Sequence, residues 1–425
     1  MLAGYLRIVC DWDSVDALKQ ADSNWTLTLD KGSGPATSAP ERMTQRLSQR
    51  SCLNKGQLRH NLRPATKCAA PSSHSTSCPP AATSSLNNML STLCNQIQSW
   101  WRQVPLPSGN TGSSGPVFQE WFHYHNSHWT PTAMDDSHSA SGRRWSVPLR
   151  IVSWNVDAGS KMLELRMSAL LRTIKLTAIP DIIFLQEVSR NALIALLSDP
   201  WVQEHWYLSD VNDSGFGKQK FINLTLVSKS WFLLHPIKIG PVWRIALPTH
   251  LGRDALCCDI VINYNCPHPS HMRRHMSTRL RLINVHLDSL PINPSYRPQQ
   301  VAVAASYLRS ADCGLVAGDF NSILPEDEAI ISDNSLIDAW VELHPNSPGF
   351  TWGVDGDGPF PPKRLDRVAL HNLTPSNIRL LPTHVITSDT GDSSSKDRRN
   401  TGEALPFSDH LGIYCVVNWN EPTYH

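Results

Sequence analysis

A chain of 425 residues has room for roughly two or three domains by size alone. The formal net charge of +1 points to no class of partner by itself. No window approaches an apolar transmembrane span and ten cysteines fall into no framework spacing, which disfavours a helical membrane protein and a disulfide-built secreted domain.

Composition divides the chain near residue 145, with Ser, Thr, Pro, Asn and Gln abundant before it and periodic apolar runs after it. Residues 1–115 are expected to form a mostly disordered tail, since so few consecutive apolar residues cannot offset the entropy of ordering; one amphipathic helix is expected at about 86–104. The run Met1 to Cys10 is too short for a signal peptide and is broken by Arg7, while Asp11, Asp13 and Asp16 count against a transit peptide. Arg42, Arg46, Arg50, Lys55, Arg59, Arg63 and Lys67 face the single acid Glu41, which suits a phosphate backbone, a nuclear import receptor or a solvated linker. Cys257, Cys313 and Cys415 lie in apolar strand-like runs, as reduced buried thiols do, so a reducing compartment is favoured. Residues 116–148 form a linker arm in which Phe118, Trp121, Phe122, Tyr124 and Trp129 stand among His123, His125 and His128. Packing on the following domain and stacking on bases are both open for it, packing being the commoner.

The main domain is expected over 149–419. Its opening strand, Leu149 to Asp157, alternates and ends on Asn155 and Asp157, with a helix over about 162–176 behind it. Asp181 to Val188 is a buried strand closing on Gln186 and Glu187, followed by a helix over 190–197. Further strands are expected at about 221–228, 254–264 and 279–286, the last closing on His286 and leading into Asp288 and Ser289. Cys266, His268, His271 and His275 read as a polar hairpin loop, because no second ligand pair follows at finger-like spacing. A helix over 299–308 leads to Leu315-Val316-Ala317, where Gly318 is a tight exit and Asp319 and Asn321 project together. An acidic helix start at 325–328, a short helix over 336–340, a Gly/Pro loop with Thr351-Trp352 and a strand over 364–370 carrying Asp366 follow. A polar insertion at 389–402 and a last strand over 411–417, preceded by Ser408-Asp409-His410, complete the domain.

Asn155, Glu187, His286 with Ser289, Asp319 with Asn321, and Asp409 with His410 all stand at strand ends, and Asp366 lies in another strand. Strands of one sheet place such ends along one rim, so a single shared cleft is expected. Singly, each residue also reads as a cap, a turn or a core group; together they carry the parts for metal-assisted phosphodiester cleavage. Glu187 is a hard anionic oxygen suited to Mg²⁺, Asn155 would complete the metal shell or hold water, and Asp409 would sit near the metal. Asp319 and Asn321 would align the attacking water, while His410 would donate to the phosphoryl oxygen with its tautomer fixed by Asp366.

The segments Ser153-Trp154-Asn155, Leu185-Gln186-Glu187-Val188, His286-Leu287-Asp288-Ser289, Gly318-Asp319-Phe320-Asn321, Arg364-Leu365-Asp366-Arg367 and Ser408-Asp409-His410 resemble, in order, the signature of the endonuclease/exonuclease/phosphatase superfamily. The His-Leu-acid-Ser segment, Thr351-Trp352 and the stretch from Leu336 to Trp340 look most like its tyrosyl-DNA phosphodiesterase branch. The resemblance implies a four-layered α/β sandwich of DNase I type with two central mixed sheets, and one bound Mg²⁺ or Mn²⁺. It implies catalytic roles for Asp319, Asn321, His410, Asn155, His286 and Asp366, metal contacts from Glu187, Asn155 and Asp409, and substrate contacts from Ser289, Trp352 and Arg367.

The implied reaction hydrolyses the link between a DNA 5′-phosphate and a tyrosine, as in repair of topoisomerase 2 adducts. A phenol of pKa about 10 leaves readily, so a positioned water and neutralised phosphate charge suffice without covalent catalysis. The implied partners are DNA with a 5′-tyrosyl-blocked end and a single-stranded overhang, and a topoisomerase 2-derived peptide as leaving group. A monomer without membrane attachment is expected, in the nucleus, with cytoplasm or mitochondrion as alternatives. The chain departs from the branch after Asn321, where Ser322-Ile323 stands in place of a basic residue two positions on. Other phosphate esters therefore stay open as substrates, among them abasic-site strands, RNA ends, sphingolipids and phosphoinositides, as does a catalytically silent binding module.

Overall fold

Period-two alternation decides the layers. Along 149–155, Leu149 and Ile151 face one core while Val152 and Trp154 face another, and Ile182 and Phe184 part in the same way from Ile183 and Leu185. The computed structural model describes residues 104–107, 115–132, 148–159, 161–235, 237–266, 274–356, 360–387 and 404–419. The tail with its basic segment, the helix expected at 86–104 (Val104 apart), the insertion at 389–402 and the side chains of Cys266, His268, His271 and His275 lie outside these residues.

The strands are β1 (Val117–Gln119), β2 (Phe122–His125), β3 (His128–Pro131), β4 (Leu149–Asn155), β5 (Ile182–Ser189), β6 (Trp206–Leu208), β7 (Phe221–Ser228), β8 (Ile237–Ala246) and β9 (Asp254–Cys266). They continue with β10 (Arg274–His286), β11 (Cys313–Asp319), β12 (Ile337–Asp338), β13 (Asp366–His371), β14 (Leu373–Leu381), β15 (Val385–Thr387), β16 (Ala404–Pro406) and β17 (Gly412–Trp419). Helices α1 (Leu163–Thr177), α2 (Arg190–Ser198), α3 (Pro200–His205), α4 (Lys229–Leu234), α5 (Arg297–Arg309) and α6 (Ala339–Leu343) connect them.

A seven-stranded sheet runs β1-β8-β9-β10-β11-β13-β12, and an eight-stranded sheet runs β14-β17-β4-β5-β7-β6-β2-β3. Both are mixed: β10 and β11 run parallel in the first, and β4 and β5 in the second. Ile151, Phe184, Leu256, Ile260, Leu282 and Leu315 fill the space between the sheets. Leu170, Leu171 and Ile174 of α1 with Leu193 and Leu196 of α2 cover the outside of the larger sheet, and Val301, Ala304 and Leu308 of α5 cover the smaller. The result is the expected four-layered α/β sandwich with two central mixed sheets. Among the described residues, no helix is long and apolar enough to cross a membrane.

The space between the sheets turns polar toward one end. The inward positions read Leu280, Leu282, Asn284, His286 along β10, Leu315, Ala317, Asp319 along β11, and Ile151, Ser153, Asn155 along β4. Asn284, fully buried, splices the two sheets at the transition. Its Nδ2 donates to the Leu224 and Leu185 carbonyls at 2.9 and 3.3 Å, and its Oδ1 accepts from Gln186 Nε2 at 2.8 Å. Asn284→Leu is expected to cost about 2–4 kcal/mol in urea unfolding, since it strands buried donors and acceptors beneath the polar rim; a cost under about 0.5 kcal/mol would contradict this role.

Three expectations are corrected. β8 and β14 were not expected, and both carry residues that disfavour strands, Gly240-Pro241 and Pro375. Register shifts between Ile239 and Val242 and between Pro375 and Asn377 absorb them, and β14 lies at a sheet edge. The stretch expected as a helix over 336–340 is the short strand β12 followed by α6, with Asp338 Oδ1 capping the helix at the Trp340 and Val341 amides. Gly318 is no exit: it pairs with Val285 and Arg367 inside β11, with a φ of 140° and no room for a Cβ against the Val285 carbonyl.

The arm packs on the domain. β1 extends the smaller sheet beside β8, the hairpin β2–β3 extends the larger sheet beside β6, and Trp121 between them is buried with its Nε1 donating to the Gly240 carbonyl at 2.9 Å. Cys257, Cys313 and Cys415, like Cys258, are free and buried.

Candidate active site

The polar end of the sandwich gathers most of the expected residues. Asn155 closes β4, Glu187 lies near the end of β5, His286 closes β10 and Asp319 closes β11. Asn155 Nδ2 bridges two carboxylates, donating to Asp319 Oδ2 at 3.0 Å and Glu187 Oε1 at 3.2 Å. Alternation alone would send Glu187 outward beside Leu185. A register shift between Leu185 and Val188 and a φ of 58° at Glu187 turn it inward, where its Oε2 accepts from the Ala158 amide at 3.1 Å.

The Asp319 carboxylate accepts three hydrogen bonds. Its Oδ1 accepts from the Asn321 amide at 2.9 Å, and its Oδ2 accepts from Asn321 Nδ2 at 3.1 Å besides Asn155. Asn321 reaches it from a φ of 47° and also donates to the Leu287 carbonyl at 3.2 Å. Burial disfavours the charged carboxylate and the nearby Asp366 adds to this, against the opposing pull of His410 and the two asparagines, so the Asp319 carboxyl is pushed up to about 7.

His410 follows a short anchor: Ser408 Oγ donates to the Asn155 carbonyl at 2.6 Å and accepts from the His410 amide at 3.0 Å. Its Nδ1 lies 2.7 Å from Asp366 Oδ2, and its Nε2 lies 4.0 Å from both Asp319 Oδ2 and Asp409 Oδ1. Burial pulls this imidazole down, but the Asp366, Asp319 and Asp409 carboxylates outweigh it and hold it up at about 10. His410 is therefore charged at neutral pH, with Nε2–H between the Asp319 and Asp409 carboxylates. Asp366 is itself fixed through Thr351, whose Oγ1 accepts from the Leu365 and Asp366 amides at 3.1 Å each.

His286 is the opposite case. Burial first, then the Arg253 and His410 charges, hold it well below its ordinary value, so it is neutral. Arg253 Nη2 lies 3.2 Å from His286 Nε2, which assigns that nitrogen as the acceptor and the proton to Nδ1. The Phe221 ring stacks on the imidazole at 5.5 Å, and the Arg253 guanidinium stands 5.0 Å over the same ring. These groups border a cleft of about 30 Å³ lined also by Gly215, Gln219, Asn223, Gly252 and Asp254. Arg253 was not singled out in the sequence; the one signal was a cation between Gly252 and Asp254 at the start of an apolar strand.

The remaining expected residues divide. Ser289 is half-buried beside the cluster, its Oγ 3.5 Å from Arg253 Nη2. Trp352 is half-buried, bridges in β fashion to His410 and donates from Nε1 to Asp409 Oδ2 at 3.0 Å. Asp409, half-exposed, thus stands with Trp352 and His410 rather than in the Glu187 group. Arg367 is not brought to the cluster. It follows Asp366 on β13 and so takes the opposite face, where it is buried within the fields of Asp338, Asp327 and Glu328.

Glu187, His286 and Asp319 offer ligand atoms that all lie within 4.8 Å of one another, His286 Nε2 being 3.7 Å from Glu187 Oε1 and 3.6 Å from Asp319 Oδ2. The two carboxylates converge there beside the Nε2 of a neutral imidazole whose lone pair Arg253 already engages, and it is the carboxylate oxygens that fit a cation. Hard carboxylate oxygens fit Mg²⁺ or Mn²⁺ better than soft metals, and Glu187, at 22% exposed, is the open side of the group. Asn155 turns its amide nitrogen rather than its oxygen toward this group, its Oδ1 accepting from the Asp157 amide at 3.0 Å.

No curated protein matches the chain. Among solved structures the fold is similar to D. rerio TDP2 humanised by 14 mutations, at 22% identity over 64% of this chain and 99% of that one, with a TM-score of 0.46. It is similar to C. elegans TDP2 at 20% identity over 64% and 75%, TM-score 0.44. An endonuclease/exonuclease/phosphatase family protein from Bacteroides thetaiotaomicron is similar at 13% identity over 65% and 100%, TM-score 0.47. Residues 152–410 match the Endonuclease/Exonuclease/phosphatase family, a stretch that takes in every member of the cluster from Asn155 to His410, and the chain belongs to that family of phosphoester hydrolases.

Proposed function

We propose that the protein is a Mg²⁺-dependent phosphodiesterase that hydrolyses the bond between a DNA 5′-phosphate and a protein tyrosine, leaving a 5′-phosphate. The observation that carries this reading is the meeting, at one rim, of the Asp319 carboxylate held by Asn155 and Asn321, the His410 imidazole 2.7 Å from Asp366, and a carboxylate group able to hold a cation. The tyrosyl-DNA substrate is favoured by the His286-Leu287-Asp288-Ser289 and Thr351-Trp352 segments. Trp352, with Phe360 at 6.5 Å, offers an aromatic platform beside His410 on which nucleotides can stack.

Glu187 would hold the cation with Asp319, and when bound a hard divalent ion neutralises charge on the phosphate. Asp319, the buried carboxylate that closes β11, accepts the proton of the attacking water. Asn155 and Asn321 fix its orientation through the amides that donate to it. His410 donates from Nε2 to a phosphoryl oxygen as charge builds there, and Asp366 keeps it protonated. Arg253 sets a fixed positive charge across the cleft, in a site whose Asn321 is followed by no basic residue.

The rate is expected to rise as pH passes about 7, where Asp319 loses its proton, and to fall through about 10, where His410 loses its own. Cations compete with protons for carboxylates, so raising Mg²⁺ should carry the acidic limb to lower pH. A limb that ignores Mg²⁺ would contradict the shared site. The substrate is tested with the full chain in Mg²⁺, by comparing tyrosine release from a 5′-tyrosyl oligonucleotide with cleavage of abasic duplex and of an inositol polyphosphate. Fastest turnover of the tyrosyl end supports the reading; much faster turnover of either rival overturns it.

A further inference from the structure

We propose that Gln119, on the arm preceding the family-matched stretch, is a positioning residue of the active site that acts through Arg244 and Asp254 on Arg253. The inference rests on the hydrolase reading above and adds a segment to it that residues 152–410 do not contain.

The Gln119 amide joins three groups. Its Nε2 donates to the Ser209 carbonyl at 2.6 Å and to Asp210 Oδ2 at 3.3 Å, and its Oε1 accepts from Arg244 Nε at 3.2 Å. Arg244 is nearly buried and is the hub. Its Nη2 donates to Asp210 Oδ2 and to the Asn223 carbonyl at 2.9 Å each, and its Nη1 donates to both Asp254 oxygens at 3.2 Å. The Gly215 turn lies so close to Asp210 that a Cβ there would meet its carboxylate. Two stretches that line the cleft at His286 reach this hub, Gly215 through Asp210 and Asp254 directly.

Arg253 needs such a brace. Its Nε has no hydrogen-bond partner among the described residues, and its polar side-chain contacts are the 3.2 and 3.5 Å approaches to His286 and Ser289. Gly252 before it has a φ of 74° and is held at its carbonyl by Gln219 Nε2 at 3.1 Å. The Arg253 amide donates to Thr249 Oγ1 at 3.2 Å, and Asp254 after it is gripped by Arg244. The guanidinium is therefore aimed by the Phe221 ring and by the backbone on either side, and the Asp254 side leads back through Arg244 to the arm. Pairing of β1 with β8 at Val117–Arg244 and Gln119–Val242 sets the amide beside the hub.

The test is a double-mutant cycle on the full chain with the 5′-tyrosyl oligonucleotide, joined to amide hydrogen exchange. Gln119→Ala is expected to lower kcat by about fivefold or more with KM within about twofold of wild type. In an Arg253→Ala background the same change should cost less than about twofold, because its route is already gone. Exchange at residues 210–219 and 250–256 should quicken by about fivefold in Gln119→Ala, whatever the substrate. Unchanged exchange overturns the brace, and equal kinetic losses in both backgrounds overturn the route through Arg253. A wild-type chain that cleaves no phosphate ester sinks the hydrolase reading instead, while exchange still decides whether the arm holds the walls.

Discussion

Asp319→Asn is expected to lower the turnover of phosphodiester hydrolysis by about 10²- to 10⁴-fold with the protein folded. The amide keeps the shape and one acceptor for the Asn155 and Asn321 donors, but it cannot take a proton from water. A second consequence separates lost chemistry from lost structure. The buried Asp319 carboxyl, raised from 3.8 to about 7, binds its proton more tightly in the folded protein than in the unfolded chain. The stability this contributes is present in full below 3.8 and is lost as pH rises through about 7. In EDTA, Asp319→Asn should therefore flatten the fall in Tm across that window. A Tm at pH 8 many degrees below wild type would mean that the amide cannot stand among those donors, and the kinetic loss would then say nothing about a base.

Asp366→Asn should produce a pH-dependent loss. Burial opposes the charge on His410, and Asp366 at 2.7 Å is the first of three carboxylates that outweigh it. Without that charge the imidazole loses its proton at lower pH, so the alkaline limb should move down from about 10 toward neutrality. The rate should fall by about 10²-fold at pH 9 and far less at pH 6. A loss of the same size at every pH would mean that Asp366 only supports the fold. The neutral His286 predicts no comparable behaviour, since its proton is already absent where the enzyme would work.

Most of the site was legible because strand ends are legible. Apolar runs that stop at Asn155, His286 and Asp319 mark positions where period-two alternation carries a polar side chain into the space between two sheets. The inward place of Glu187 was not readable from spacing, which sends it outward; a register shift and a left-handed backbone bring it in. Arg253 escaped notice because it sits in a loop, and its meaning depends on Phe221 and His286, far away in sequence. Arg367 was drawn in by its neighbour Asp366 and excluded by the same alternation. In the fold, the unexpected strands β8 and β14 carry proline and glycine, whose penalties the structure meets with bulges and an edge position. The alternation of Phe122, His123, Tyr124 and His125 before Asn126-Ser127 was a hairpin signal in the arm, read only as an aromatic cluster.

In the proposed reaction a water, relieved of its proton at Asp319, attacks phosphorus directly. Single-turnover cleavage of a 5′-tyrosyl oligonucleotide in ¹⁸O-water with Mg²⁺ tests this in one step. One ¹⁸O atom is predicted in the DNA 5′-phosphate, with unlabelled tyrosine and no protein bound covalently to DNA. Label in the tyrosine phenol, or a DNA–protein adduct in place of released tyrosine, would contradict it.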